Sequence, residues 1–190
     1  PRMTRIGLFY GSTDGHTAAV AAEIKAHLDQ EYGNQEYGDQ ENGRGNELVE
    51  LLDVAEVYLE EMLAFDRLIL GVPTWNTGQL QRDWDEVLDE LDDLDLSSKR
   101  VALFGLGDQL GYPDTFVDAL FFVADQLRRC SAQLVGTWPL TGYDFRASWA
   151  VEDGQFLGLV LDEHNQPDQT EARLAAWSRQ ILQEFALITP

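Results

Sequence analysis

Gly11-Ser12-Thr13-Asp14-Gly15-His16-Thr17 joins the apolar run Ile6 to Tyr10 to a helical pattern, so a strand leads through this loop into a helix. Small and hydroxyl-bearing residues dominate the loop. Several of its N–H and O–H groups can therefore point at one anion at the positive end of the helix. The loop does not end in the Gly-Lys-Ser/Thr of the nucleotide triphosphatase loop, and it contains no lysine. We interpret it as a candidate phosphate site, with helix capping alone as the alternative.

Apolar runs alternate with helical patterns along the rest of the chain. The first helix is expected to end near Asp29, and the third strand to end before Pro73. Alternating strands and helices predict parallel pairing with right-handed crossovers. The predicted fold class is α/β, a three-layer sandwich with helices on both faces of a parallel sheet. Further strands are expected at 47–52, 67–72, 101–106, 134–138 and 156–161.

Length and composition predict one domain over residues 1–190, because 44% of the residues are hydrophobic and suffice for a single core. Residues 30–45 carry a polar, glycine-rich repeat, which we interpret as a surface insertion. No run approaches the roughly 18 apolar residues of a membrane span, so a cytoplasmic location is expected. The single cysteine, Cys130, excludes an internal disulfide and a cysteine-ligated metal cluster.

The charge balance is strongly acidic. The formal net charge is -21, from 34 acidic and 13 basic residues. Such a surface repels nucleic acid and anionic membranes and favours basic protein partners. Solubility and adaptation to a salty cytoplasm are the alternative explanations, and the sequence does not separate them.

Three loops follow strands of the predicted sheet at its carboxyl edge, where ligands bind in such folds. They are residues 11–17, 73–78 and 107–112. The second loop contains Trp75 and the third contains Tyr112. Two flat side chains beside a phosphate site predict a planar heteroaromatic ring held between them. The alternative is that each aromatic packs against the protein itself.

Four motifs together resemble the long-chain flavodoxins of bacteria: 6–13 (IGLFYGST), 73–76 (PTWN), 105–112 (GLGDQLGY) and 141–145 (TGYDF). The resemblance covers nearly the whole chain except Gln30 to Gly45. It implies a flavodoxin-like sheet of five parallel strands in the order 2-1-3-4-5, with FMN at the carboxyl edge. It also implies that residues 139–155 are an insertion that divides the last strand.

The resemblance also implies which residues hold FMN. The phosphate is expected in the first loop, the ring between Trp75 and Tyr112, and the pyrimidine edge near Gly107 and Asp108. The peptide between Asn76 and Thr77 is expected to face flavin N5 and to stabilise the neutral semiquinone. No catalytic residue or metal ligand is expected. The cofactor-binding set is Ser12, Thr13, Asp14, Gly15, His16, Thr17, Pro73, Thr74, Trp75, Asn76, Thr77, Gly78, Leu106, Gly107, Asp108, Tyr112, Thr115, Phe116, Val117 and His164.

Asp14 departs from the family pattern, which usually has threonine there. A carboxylate beside a phosphate dianion is repelled. Asp14 therefore either turns outward and caps the helix, which we favour, or lowers the affinity for FMN.

The function implied by the resemblance is a low-potential one-electron carrier, not an enzyme. Its expected partners are a basic reductase and basic acceptor redox proteins that dock transiently, and the chain is expected to be a monomer. An FMN-dependent quinone reductase on the same fold is the main alternative. A phosphoacceptor signalling domain is disfavoured, because Gly11-Ser12 and Pro73-Thr74-Trp75 stand where its carboxylates would be.

Overall fold

The computed structural model describes residues 5–34 and 47–190. Its four helices are α1 (His16–Asn34), α2 (Arg82–Val87), α3 (Ala119–Arg129) and α4 (Thr170–Glu184), and short 3-10 helices span Leu59–Ala64, Leu88–Asp93 and Pro167–Gln169. The strands are β1 (Ile6–Tyr10), β2 (Val49–Asp53), β3 (Arg67–Trp75), β4 (Gln79–Leu80), β5 (Arg100–Leu106), β6 (Gln133–Val135), β7 (Trp138–Pro139), β8 (Val151–Glu152), β9 (Gln155–Phe156) and β10 (Leu159–Leu161).

The main sheet has the order β2-β1-β3-β5-β10, and all neighbours on this path are parallel. With β5 and β10 as the fourth and fifth main strands, this is the predicted order 2-1-3-4-5, which is confirmed. The sheet has two additional members, since β6 pairs with β5 and β4 pairs with β3 in antiparallel fashion.

The outer strand of the sheet is divided into two halves. β6 pairs with the first half of β5, with Val101 opposite Leu134. β10 pairs with the second half, with Leu106 opposite Leu161. Residues 136–158 lie between the two halves and include a small antiparallel sheet in the order β7-β9-β8. The interval 139–155, expected as an insertion, falls within this segment.

β3 does not end before Pro73, so that expectation is wrong. β1 stops pairing where Tyr10 meets Gly71, whereas β5 continues to pair as far as Pro73 opposite Leu106. Pro73 thus has a register partner on β5 but none on β1, and proline is tolerated in a strand where its missing N–H costs no ladder hydrogen bond. The strand can continue to Trp75.

α1 is one turn longer than expected, because it ends at Asn34 and not near Asp29. Tyr32 packs against the core, and Glu31 Oε1 lies 3.4 Å from Arg179 Nη2 on α4. These contacts extend the helix into the first residues of the repeat. The expected surface insertion otherwise lies outside the described residues.

The sheet has a core on each face. Alternation along β3 sends Leu68, Leu70 and Val72 to the face covered by α2 and α3, and Ile69 to the face covered by α1 and α4. The first core includes Trp84, and the second includes Trp177; both have 0% exposure. Within residues 5–34 and 47–190, no helix combines the length and apolar character that a membrane crossing requires.

Candidate functional site

An open cavity of ≈ 330 Å³ lies at the carboxyl edge of the sheet. The three loops predicted to converge there all contribute to its wall, together with the loop after β10. Its lining residues are Asp14, His16, Thr17, Pro73, Thr74, Trp75, Asn76, Leu106, Gly107, Asp108, Tyr112, Glu163 and His164.

The first loop contributes Asp14, His16 and Thr17 to the cavity lining, and Ser12 and Thr13 precede them in the loop. Ser12 Oγ accepts a hydrogen bond from the Ala18 N–H (3.3 Å), and Thr13 Oγ1 accepts one from Gln81 Nε2 (3.0 Å). Each hydroxyl keeps its own proton for another acceptor. Thr17, at the start of α1, is 2% exposed and also lines the cavity. Gly15 has φ +91°, a conformation that L side chains rarely adopt.

Gln81 holds this loop from behind, which the sequence did not indicate. It is fully buried, and its Oε1 accepts from the Trp84 N–H (3.4 Å) at the start of α2. A Cβ on Gly11 would lie 2.3 Å from Gln81 Oε1 and 2.7 Å from Trp84 Cδ1, so only glycine fits. The sequence does carry a signal for its capping role, because Gln81 stands just before Asp83 and Asp85, and acidic residues are typical of the first turn of a helix.

Asp14 and His16 form the outer rim of the first loop. Asp14 Oδ1 accepts a hydrogen bond from the His16 N–H (3.3 Å), and Asp14 Oδ2 lies 3.6 Å from His16 Nδ1. Their side chains are 68% and 72% exposed. Asp14 thus makes a capping contact while still lining the cavity.

The second loop is a tight turn between β3 and β4. Asn76 has φ +47°, and its Nδ2 donates to Gln79 Oε1 (3.0 Å) across the turn. Thr74 Oγ1 accepts from the Ala119 N–H (3.2 Å) at the start of α3. Trp75 is at the end of β3, half-buried, where it forms part of the cavity wall.

The third loop is held around Asp108. Its Oδ1 accepts from the N–H groups of Leu110 (3.2 Å) and Gly111 (2.8 Å) and from Asn165 Nδ2 (2.7 Å). Burial raises the pKa of Asp108, but these hydrogen bonds and the nearby His164 outweigh it and hold the pKa below its usual value.

Asp162, Gln109 and Asn165 form a buried network beside this loop, and sequence reasoning did not single it out. Asp162 has 0% exposure and Gln109 has 2%. Asp162 Oδ2 accepts from Gln109 N (3.0 Å) and Gln109 Nε2 (2.8 Å), and its Oδ1 accepts from Asn165 N (2.9 Å). The local sequence pattern does not identify this network, because Gln109 comes from a different loop from Asp162 and Asn165.

Some expected site residues are not in the cavity lining: Ser12, Thr13, Gly15, Thr77, Gly78, Thr115, Phe116 and Val117. Phe116 and Val117 belong to the core, with 1% and 0% exposure. They lie behind the site, where a Cβ on Gly107 would come within 2.8 Å of Val117 Cγ1. Thr115 packs against Gly78 at the second loop. The lining, in turn, includes Glu163, which was not in the expected set.

The family model described as flavodoxin matches residues 8–177. The chain belongs to the flavodoxin family. A flavodoxin from Picosynechococcus sp. is 44% identical over 97% of this chain and 100% of its own length. Flavodoxin 2 of Escherichia coli is 43% identical over 95% of this chain and 96% of its own length.

A solved flavodoxin structure has the same architecture. The flavodoxin of Fusobacterium nucleatum, whose crystal structure contains bound flavin mononucleotide, superposes with a TM-score of 0.83 at 28% identity. The match covers 96% of this chain and 99% of that protein. The flavodoxin family assignment therefore agrees at the level of sequence and of fold.

Proposed function

We propose that this chain binds FMN non-covalently in the carboxyl-edge cavity and carries one electron at a time, at low potential, between a reductase and acceptor redox proteins. One cavity carries the proposal. Thr17 at the start of α1 and the aromatic side chains of Trp75 and Tyr112 line the same cavity, and the hydroxyl residues Ser12 and Thr13 lie next to it in the first loop.

The first loop is suited to the phosphate because it combines neutral hydrogen-bond donors with the N-terminus of a helix. Ser12 and Thr13 offer hydroxyl protons, and Thr17 lies in the first turn of α1, whose positive end favours an anion. His16 is the basic group nearest to them in sequence. None of the described residues that line the cavity is lysine or arginine.

The aromatic walls and the backbone of the third loop suit the ring. Trp75 and Tyr112 supply flat surfaces, and Gly107 contributes backbone to the same cavity lining. Asn76, in the left-handed conformation at the turn after Trp75, lines the same cavity, which supports the peptide that follows it as the neighbour of flavin N5. Bound FMN supplies the electron-carrying chemistry, while the protein orients it and sets its electrostatic surroundings.

The charges around the cavity favour a low potential and basic partners. Asp14, Asp108 and Glu163 all line it. Carboxylates oppose the addition of negative charge to a bound cofactor, and at the rim they attract basic protein surfaces. The rate of electron transfer to a basic redox protein is therefore expected to fall as salt is added. A rate that does not depend on ionic strength would contradict this steering.

Reconstitution with FMN tests the proposal. Apoprotein mixed with FMN is expected to take up one equivalent and to quench the flavin fluorescence, because the ring stacks on aromatic side chains. An assay with NAD(P)H and a quinone distinguishes the carrier from a quinone reductase. Failure to take up FMN, or steady turnover of the quinone without a partner protein, would overturn the proposal.

A further inference from the structure

A buried carboxylate lies beside the part of the cavity lined by Leu106, Gly107, Asp108 and Tyr112, which we call the ring end because the flavin ring is proposed to bind there. Asp162 follows Leu161, the last residue of β10, whose register partner Leu106 lines the cavity. The next two residues, Glu163 and His164, line the cavity as well. The Asp162 side chain itself has 0% exposure. It is therefore next to the cavity but shielded from solvent.

Within the described structure, every hydrogen bond that the Asp162 carboxylate accepts comes from a neutral N–H group. Gln109 donates from its backbone and its side chain to Oδ2, at 3.0 and 2.8 Å. Asn165 donates from its backbone to Oδ1 at 2.9 Å, and its Nδ2 lies 3.1 Å from Oδ1 and 2.9 Å from Oδ2. A protonated carboxyl would instead need an acceptor, so this set of donors fits an ionised one.

The same network connects three loops. Gln109 Oε1 accepts from the Asp144 N–H (2.5 Å), and Asn165 Nδ2 also donates to Asp108 Oδ1 (2.7 Å). The turn at Asp108 carries the ring wall, because the Tyr112 N–H donates to the Asp108 carbonyl (2.9 Å). Asp162 is thus linked through Asn165 to the loop at 108–112 and through Gln109 to the loop at 141–145.

We propose that Asp162 is a positioning residue that fixes the ring end of the cavity before the cofactor binds, and that its charge lowers the reduction potential in a way that salt does not screen. The proposal rests on the proposed FMN site. Mobile ions screen charges at a surface, but they do not penetrate between Asp162 and the cavity. Surface carboxylates at the rim therefore differ from Asp162 in their response to ionic strength.

Two neighbouring variants test the electrostatic part. Asp162→Asn and Glu163→Gln each remove one negative charge, from a buried and an exposed side chain respectively. At about 0.01 M salt, each substitution is expected to shift the second one-electron reduction of bound FMN about tenfold toward the reduced form. This corresponds to a rise of about 59 mV in the reduction potential of that step. At about 1 M salt the screening length falls to about 3 Å, so the Glu163→Gln shift should largely vanish while the Asp162→Asn shift persists. An Asp162→Asn shift that is absent, or that vanishes in salt, would overturn this part.

The positioning part is tested on the apoprotein, which needs no FMN. Asn165→Ala removes the amide that bridges Asp162 and Asp108 but retains both charges. Amide hydrogen exchange at Leu110 and Gly111 is expected to become at least tenfold faster, as for the loss of one hydrogen bond to a charged group. Gln169→Ala, which removes an exposed amide bonded only to Asp168, is the control and should leave this exchange unchanged.

The two readouts separate the proposals. Unchanged exchange in Asn165→Ala would overturn the positioning role, even if Asp162→Asn fails to fold. A wild-type chain that takes up no FMN would overturn the proposed function, whereas the exchange result on the apoprotein would still decide whether the network fixes the loops.

Discussion

The two ends of the cavity are built differently. At the phosphate end, Asp14 and His16 are more than two-thirds exposed, and their closest contact is 3.3 Å long. At the ring end, Asp162 and Gln109 are buried and joined by hydrogen bonds of 2.8 and 3.0 Å. The ring end is therefore held by the protein itself, whereas the rim formed by Asp14 and His16, at the proposed phosphate end, is open to solvent.

This difference has a consequence for affinity. A site that is already ordered loses little conformational entropy on binding, so its contacts contribute more of their free energy to affinity. We therefore expect changes at the ring end to affect FMN binding and local stability strongly. Changes at the rim of the phosphate end should have smaller effects.

Removal of a ring wall should have the largest effect. Tyr112→Ala is expected to weaken FMN binding by about 10- to 100-fold, since stacking of a planar ring on an aromatic side chain contributes about 1–3 kcal/mol. Fluorescence titration measures the change. Tyr58→Ala removes a tyrosine that is 77% exposed and does not line the cavity, so it serves as the control. Equal losses in the two variants would contradict the assignment of Tyr112 as a wall.

Asp108→Ala tests whether the third loop is held by its carboxylate. At neutral pH we expect the free energy of unfolding of the apoprotein to fall by about 2 kcal/mol, because three N–H groups lose a charged acceptor. Urea unfolding measures the loss. Asp168→Ala, at an exposed carboxylate, should change stability by less than about 0.5 kcal/mol.

The same substitution has a defined pH dependence. The pKa of Asp108 is held below its usual value in the folded chain. Its stabilisation is therefore fully present above the usual carboxyl pKa and is lost as the pH falls through the lower, folded-state pKa. The difference between wild type and Asp108→Ala should narrow over that acidic window. A difference that widens as the pH falls would contradict the direction of the shift.

The smallest effect is expected at Asp14. Because its carboxylate caps the His16 N–H at the exposed rim, Asp14→Thr should change FMN affinity by less than tenfold. Calorimetric titration of both proteins measures the change. A gain of tenfold or more, about 1.4 kcal/mol, would instead show that the carboxylate faces the phosphate and repels it.

Sequence reasoning found the features that repeat or that stand next to strands. The alternation of strands and helices predicted the sheet, and the loops after three strands predicted that Trp75 and Tyr112 would reach one cavity. Those predictions depend on local pattern and on the geometry of parallel sheets, both of which are visible in a single sequence.

The remainder depends on contacts between distant segments. Gln81 supports the first loop from 68 residues away, and Gln109 meets Asp162 across 53 residues. The N-cap position of Gln81 is a local signal, but the burial of either glutamine is not, because it depends on partners elsewhere in the chain. The continuation of β3 through Pro73 has the same origin, since it depends on where β1 stops pairing.

The proposed role as a low-potential carrier can be tested by stepwise reduction of the FMN-reconstituted protein, followed by its visible spectrum at controlled potential. We expect two resolved one-electron steps, with the second at a lower potential than for free FMN, because the carboxylates around the cavity oppose added negative charge. A single two-electron step at the potential of the free cofactor would contradict it.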